Sequence, residues 1–247
     1  MSARDAQRGL VLPSILVLAG LVVLISLGTW QLERKTWKEQ LIETLRERVS
    51  APPVPTPQEI WSGSDSADLE FKRVSFRAAF DHAREALVYT VGSALRPDIT
   101  ERGYWVFTPA TLPDGRVTVV NRGFIPEDRK DPRTRAEGQV EGPVDIIGVL
   151  RRPETRGLFT PNDDPQHNVW YLRDHRLIAA AKGWGEVGYF FVDQDSPPAP
   201  GGFPRAKALT VDLRNEHLQY AITWFGLAGV IAVGFVFWLR SRQEERA

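Results

Sequence analysis

Asn215-Glu-His-Leu-Gln-Tyr-Ala-Ile-Thr-Trp224 is where a polar region of the chain runs directly into an apolar one. From Leu218 to Leu239 no residue is charged, and at roughly 1.5 Å per residue that run rises about 33 Å, enough to cross the hydrocarbon core of a bilayer. The segment reads as a membrane-spanning helix. Asn215 suits its N-cap and Glu216 its first turn, where a carboxylate meets the positive end of the helix dipole. The helix is therefore expected to start just before His217. At about 100° per residue, His217, Tyr220, Ala221, Trp224 and Ala228 share one stripe. Two readings of that stripe stand side by side. Amphipathic rings anchor helices where lipid meets water, and a neutral imidazole is also a metal ligand.

A second uncharged run, Leu10 to Trp30, follows Arg4 and Arg8. A signal peptide has an apolar core of about 7 to 15 residues closing on a small-x-small site. This run instead continues through Leu27-Gly-Thr-Trp30, so a retained anchor is expected. Pro13 sits in its first turns, where a missing N–H does little harm. Two spans bring the chain back to the side it left. Arg4 and Arg8 before the first span and Arg240, Arg242 and Arg246 after the second place both termini in the cytoplasm. Arg34, Lys35 and Lys38 argue the other way, but long loops cross largely regardless of charge. The expected order is a cytoplasmic N-terminus (1–9), a span (10–30), a helical extension (31–50), a spacer (51–57), an extracytoplasmic domain (58–214), a span (218–239) and a cytoplasmic C-terminus (240–247).

The extension keeps helical spacing, with Leu32, Leu41, Ile42, Leu45 and Val49 among charges. Ala51-Pro-Pro-Val-Pro-Thr-Pro57 must end it, because proline favours extended structure and breaks helices. The middle region then reads as β structure. Arg73 to Phe80 alternates, with Val74, Phe76, Ala78 and Phe80 on one face and Arg73, Ser75 and Arg77 on the other. Further strands are expected over 86–91, 103–110, 116–121, 144–150, 168–172 and 187–193, mostly set apart by Gly, Pro and Asp. Pro113-Asp-Gly115 is a hairpin signal. Short strands at such spacing predict an antiparallel barrel or sandwich-like domain flanked by two transmembrane helices. Only Asp174 to Lys182 looks helical.

Composition excludes more than it suggests. The 31 basic residues balance 31 acidic ones, so no nucleic acid or other strongly charged partner is implied. With no cysteine and a single methionine, disulfides, thiolate metal sites, a catalytic thiol and soft copper carriage all fall away. No nucleophile elbow, zincin, phosphate-loop or dinucleotide motif is present. His167 and His175, with Asp163, Asp164 and Asp174 nearby, can be assembled on paper into a metal or acid-base cluster, but they read first as solvated loop residues. His82 beside Asp81 reads as a turn residue rather than a base.

Several blocks recur in a known order. Leu27-Gly-Thr-Trp-Gln-Leu-Glu-Arg34, Glu70-Phe-Lys-Arg-Val74, Gly103-Tyr-Trp105, Val120-Asn-Arg-Gly-Phe-Ile-Pro126, Trp170-Tyr171 and Asn215 to Trp224 lie between and around the two spans. In this the chain resembles the Surfeit locus protein family of cytochrome c oxidase assembly factors, along nearly its full length. Glu216 stands where a second Asn is common in that family. The resemblance implies a membrane-embedded biogenesis factor without catalysis of its own. It implies handling of haem a for the catalytic subunit of the oxidase, beside the haem a synthesis machinery, in a bacterial plasma (inner) membrane. Haem binding in some bacterial members is attributed to the histidine at the head of the second span, here His217, and no metal apart from the haem iron is expected. Arg214, one turn earlier, then becomes a candidate propionate partner. Tyr220 and Trp224 become candidates to line the ring, with Ala221 and Ala228 leaving room for it or, alternatively, letting the two spans pack closely. Arg122, in a segment read as a strand end and turn, is a candidate partner contact. The competing reading is an outward-facing sensor or accessory domain on a two-span anchor, binding some other ligand in its β region.

Overall fold

The computed structural model describes the backbone of residues 3–61, 67–211 and 213–244. They form two compact units, one from 3–43 with 213–244 and the other from 44–211.

In the first unit the apolar run and its charged extension are one unbroken helix, α1 (Ala3–Ser50), accompanied by α3 (His217–Glu244). Both are long and apolar enough to cross a membrane, and only 6% of each apolar window is buried inside the protein. The core helix of a soluble domain buries a whole face. Here Leu12, Leu16, Val230 and Phe237 stand open, which suits two helices that anchor a chain in a membrane. The helices approach where no side chain intervenes: a Cβ built on Gly28 of α1 would lie 2.6 Å from the Phe225 ring of α3. Asn215 does not cap α3 as expected. Its Nδ2 instead donates to the Lys35 carbonyl at 3.4 Å and its Oδ1 is left without a partner. A tertiary contact has taken the side chain that local sequence reserved for a cap.

The second unit is built on one eight-stranded mixed sheet. Its strands are β1 (Val54–Pro55), β2 (Arg73–Phe80), β3 (Ala86–Thr90), β4 (Gly103–Thr111), β5 (Val117–Pro126), β6 (Pro143–Arg151), β7 (Val169–Trp170) and β8 (Phe191–Ser196). The order is β1-β2-β6-β8-β5-β4-β3-β7, and a further β2–β4 pairing closes a circuit through β2, β6, β8, β5 and β4. The long ladders are antiparallel, beginning with the β4–β5 hairpin. In its turn the Leu112 and Arg116 backbones pair and Gly115 takes φ +84°. Three short pairs, β1–β2, β3–β7 and β5–β8, run parallel, which makes the sheet mixed rather than purely antiparallel. Each joins strands separated by a long connection, which a parallel return requires. Val54 and Pro55, read as spacer, in fact line up with Val74 and Ser75.

The expected alternation in β2 is seen, with Val74 and Ala78 buried against Ile146 and Leu150. Along β4 every residue from Gly103 to Ala110 is buried, because both faces are covered. Trp105 and Phe107 pack with Phe124, Phe191 and Trp184, while Tyr104 and Val106 pack with Leu87 and Ile125. The helix α2 (His175–Lys182) lays Ile178 and Ala179 on the Trp105 cluster. The Asp174 side chain caps it by accepting from the backbone N–H groups of Arg176 and Leu177, and Gly183 ends it with φ +66°.

Candidate functional site

The head of α3 stands beside the middle of α1. His217 is half-buried, and its Nδ1–H donates to Oε1 of Gln31 at 2.7 Å. With the proton on Nδ1, a neutral ring carries its lone pair on Nε2. An imidazole tied at one nitrogen and open at the other is the usual arrangement of a metal-ligating histidine. An open cleft of about 260 Å³ lies here, lined by Gln31, Lys38, Arg214, Glu216, His217 and Tyr220.

The other expected residues divide. Arg214 is exposed and ion-paired with Glu216, so it lies beside His217 with its charge partly satisfied inside the chain. Tyr220 is exposed and reaches the cleft; Trp224 is half-buried, does not line it, and leaves its indole N–H without a partner. Ala221 and Ala228 are buried, at 1% and 7% exposure. The space beside them is filled by protein, so close helix packing is their role. The periodicity of α3 alone missed Gln31 and Lys38, which come from the other helix. Gln31 was nevertheless visible inside the Leu27 to Arg34 block. Lys38 donates its ammonium to the Arg214 carbonyl.

In the sheet unit, Arg122, read as a candidate partner contact, is turned into the protein. It is 4% exposed, donates to the Gly138 carbonyl and to His82 Nδ1, and lies 4.8 Å from the Phe80 ring. The reason is a β-bulge. Trp105 pairs with Phe124 and Phe107 with Asn121, so Val106 of β4 opposes two residues of β5, Arg122 and Gly123. Bulges re-aim side chains, and here the chain does not turn: β5 continues to Pro126. Gly123 takes φ +119°, and a Cβ there would lie 2.3 Å from the Arg205 carbonyl oxygen. Burial lowers the pKa of Arg122 to about 10. Asn121 is structural as well. Its Nδ2 donates to Asp193 at 2.7 Å, and the same carboxylate accepts from Arg151 at 3.0 Å.

The remaining histidines do not converge. His82 does sit in a turn, where its Nε2–H donates to the Val140 carbonyl at 2.9 Å. Burial, together with the Arg122 charge, lowers its pKa. His167 is exposed and pairs with Asp164 at 2.7 Å. His175, expected in a solvated loop, is fully buried in the first turn of α2, and its Nε2–H donates to the Gly188 carbonyl at 2.8 Å. No group of three metal-ligating side chains occurs among the described residues.

Comparison with known proteins bears on the whole chain. The family model described as SURF1 family matches residues 18–229. Surfeit locus protein 1 of Homo sapiens is 39% identical over 238 residues, covering 92% of this chain and 77% of the human protein. The Mus musculus protein is 40% identical over 212 residues, covering 81% and 67% respectively. The SURF1-like protein of Monosiga brevicollis is 38% identical over 232 residues, covering 92% and 87%. The match runs from within α1 to the middle of α3 and spans the closed circuit of strands and the positions of His217 and Gln31, and the chain belongs to the SURF1 family.

Proposed function

We propose that this protein is a non-enzymatic assembly factor for cytochrome c oxidase that holds haem a at the head of α3 on its way to the catalytic subunit. Family membership supports the assembly role. The observation that carries the haem reading is the 2.7 Å bond from His217 Nδ1–H to Gln31, which fixes the tautomer and leaves Nε2 for iron.

The residues present fit such a group. An axial histidine needs its second nitrogen anchored, and Gln31 anchors it. The haem edge carries carboxylates, which charge-assisted donors suit, and Lys38 and Arg214 line the same cleft. Tyr220 offers an exposed ring beside them. Haem a supplies the redox chemistry of the oxidase, while this chain only binds and orients it. A bacterial plasma (inner) membrane is the setting of this proposal, and the distribution of arginines around the two spans supports the orientation. Both termini are then cytoplasmic, the sheet unit lies outside, and the haem a synthesis machinery and the oxidase subunit are the partners.

The test is production with haem a synthesis, purification in detergent, and haem quantification as the pyridine haemochrome. Loss confined to His217→Ala supports ligation; His82→Ala, His167→Ala and His175→Ala serve as controls. Unchanged haem in His217→Ala ends the reading.

A further inference from the structure

The charges of the whole chain balance, but those around one cleft of the sheet unit do not. This open cleft of about 690 Å³ lies where the turn 82–85, the segment 130–139, the turn 167–168 and the last residue of α2 converge. Each carboxylate in its wall is already neutralised. Glu85, 5% exposed, is held by both terminal nitrogens of Arg135, and Asp131 is paired with Arg133. The ammonium groups are not. Lys182 Nζ donates to Asn168 Oδ1 at 3.0 Å and Lys130 Nζ lies 5.2 Å from the Tyr104 ring, both side chains are half-buried, and neither forms an ion pair among the described residues.

A further cation stands behind the wall. His82 lines the cleft and its Nδ1 accepts from Arg122, which is buried and likewise has no carboxylate partner. Arg122, Lys130, Arg135 and Lys182 are thus set against one buried carboxylate, that of Glu85. Half-buried charges held without counter-ions are costly, and burial lowers the pKa of Lys182 against the pull of Glu85. A cleft lined by one sign of charge focuses its field on ligands of the other, and groups perturbed in this way gather at functional sites. The chemistry of the ligand follows from what is left over. Each ammonium has three donors, and a phosphate monoester brings about two negative charges with three acceptor oxygens, whereas a carboxylate brings a single charge. The cleft is far larger than one phosphate, and Ala83, Leu87 and Pro132 give it an apolar wall for an organic remainder. We propose that this cleft binds a phosphate group, free or at the head of a small organic ester, through Lys130 and Lys182.

The test is calorimetric titration of the full chain in detergent at neutral pH and constant ionic strength, with inorganic phosphate, phenyl phosphate, succinate and a short polyglutamate peptide as probes. Both phosphate probes are expected to bind. Tighter binding of phenyl phosphate identifies an ester as the ligand, and equal binding identifies the free ion. Lys130→Gln with Lys182→Gln should weaken phosphate binding at least about tenfold, the scale of a lost charge-assisted hydrogen bond. Lys207→Gln, on a 58% exposed side chain outside the cleft, should leave it unchanged. Lys130→Arg with Lys182→Arg keeps both charges and should retain binding, which separates loss of charge from damage to the cleft. Absence of phosphate binding overturns the proposal, as does equal affinity in the double glutamine variant. Succinate or polyglutamate binding as tightly as phenyl phosphate overturns it too, because the cleft would then select negative charge or an acidic segment rather than phosphate.

Discussion

His217 of α3 and Gln31 of α1 are joined by a 2.7 Å hydrogen bond from the imidazole Nδ1–H to the amide oxygen. The residue that the family resemblance marks for haem is therefore oriented by a side chain 186 positions away. Removing such an outer partner typically lowers metal affinity about 10- to 100-fold. Gln31→Leu should weaken haem binding by that order in a haem titration of the detergent-solubilised protein. Gln31→Glu, which still accepts from Nδ1–H, should bind within a few-fold of the parent. Equal affinity in Gln31→Leu would show that the amide does not orient the ring.

The bulge in β5 is expected to be a point of high stability cost. A Cβ on Gly123 would meet backbone atoms of Arg205 and Ala206 at 2.3–2.5 Å, at a φ that L side chains rarely adopt. Gly123→Ala should lose more than about 3 kcal/mol, read as a fall in the urea midpoint by tryptophan fluorescence.

Arg122 supplies the contrasting test, because it is a structural donor rather than a surface contact. Arg122→Lys keeps a charge but loses the guanidinium fork that serves both the Gly138 carbonyl and His82. A loss of about 2 kcal/mol is expected, since a buried acceptor is left unpaired. Unaltered stability would show that the guanidinium fork is not needed to hold the Gly138 carbonyl and His82.

Acid should destabilise the sheet unit through His175. Burial lowers its pKa from 6.5 to about 4, so between those values the unfolded chain binds the proton and the folded chain does not. The stability contribution is complete above pH 6.5 and is lost as pH falls toward 4; at about 1.4 kcal/mol per pH unit it amounts to roughly 3 kcal/mol. Burial lowers the His82 pKa in the same direction. The urea midpoint of the full chain in detergent should drop over this window, and His175→Gln, which does not titrate, should flatten the drop. An identical slope in the variant would refute the assignment.

Topology is open to a simple fusion experiment. A reporter enzyme active only outside the cytoplasm should work when fused after Pro57 and fail after Ala247. Activity at the C-terminal fusion would reverse the orientation that the flanking arginines imply.

Local periodicity made much of this protein legible before any coordinates. Two uncharged runs long enough to span a bilayer, the alternation of Val74, Phe76, Ala78 and Phe80, the Pro113-Asp-Gly115 hairpin and the helix read over Asp174 to Lys182 are each encoded in one continuous stretch, and each stands where the sequence put it. What the sequence alone misplaced depends on residues far away in the chain. Asn215 gives up its cap for the Lys35 carbonyl, His175 enters the core beneath Gly188, and one extra residue in β5 turns Arg122 inward. Strand periodicity is two, so a single inserted residue exchanges the faces of every side chain after it, and only the pairing with β4 reveals the insertion. The candidate site divides the same way. His217 was marked by its place at the head of an apolar helix and by the family resemblance, but the bond that orients it exists only because two helices from opposite ends of the sequence lie side by side.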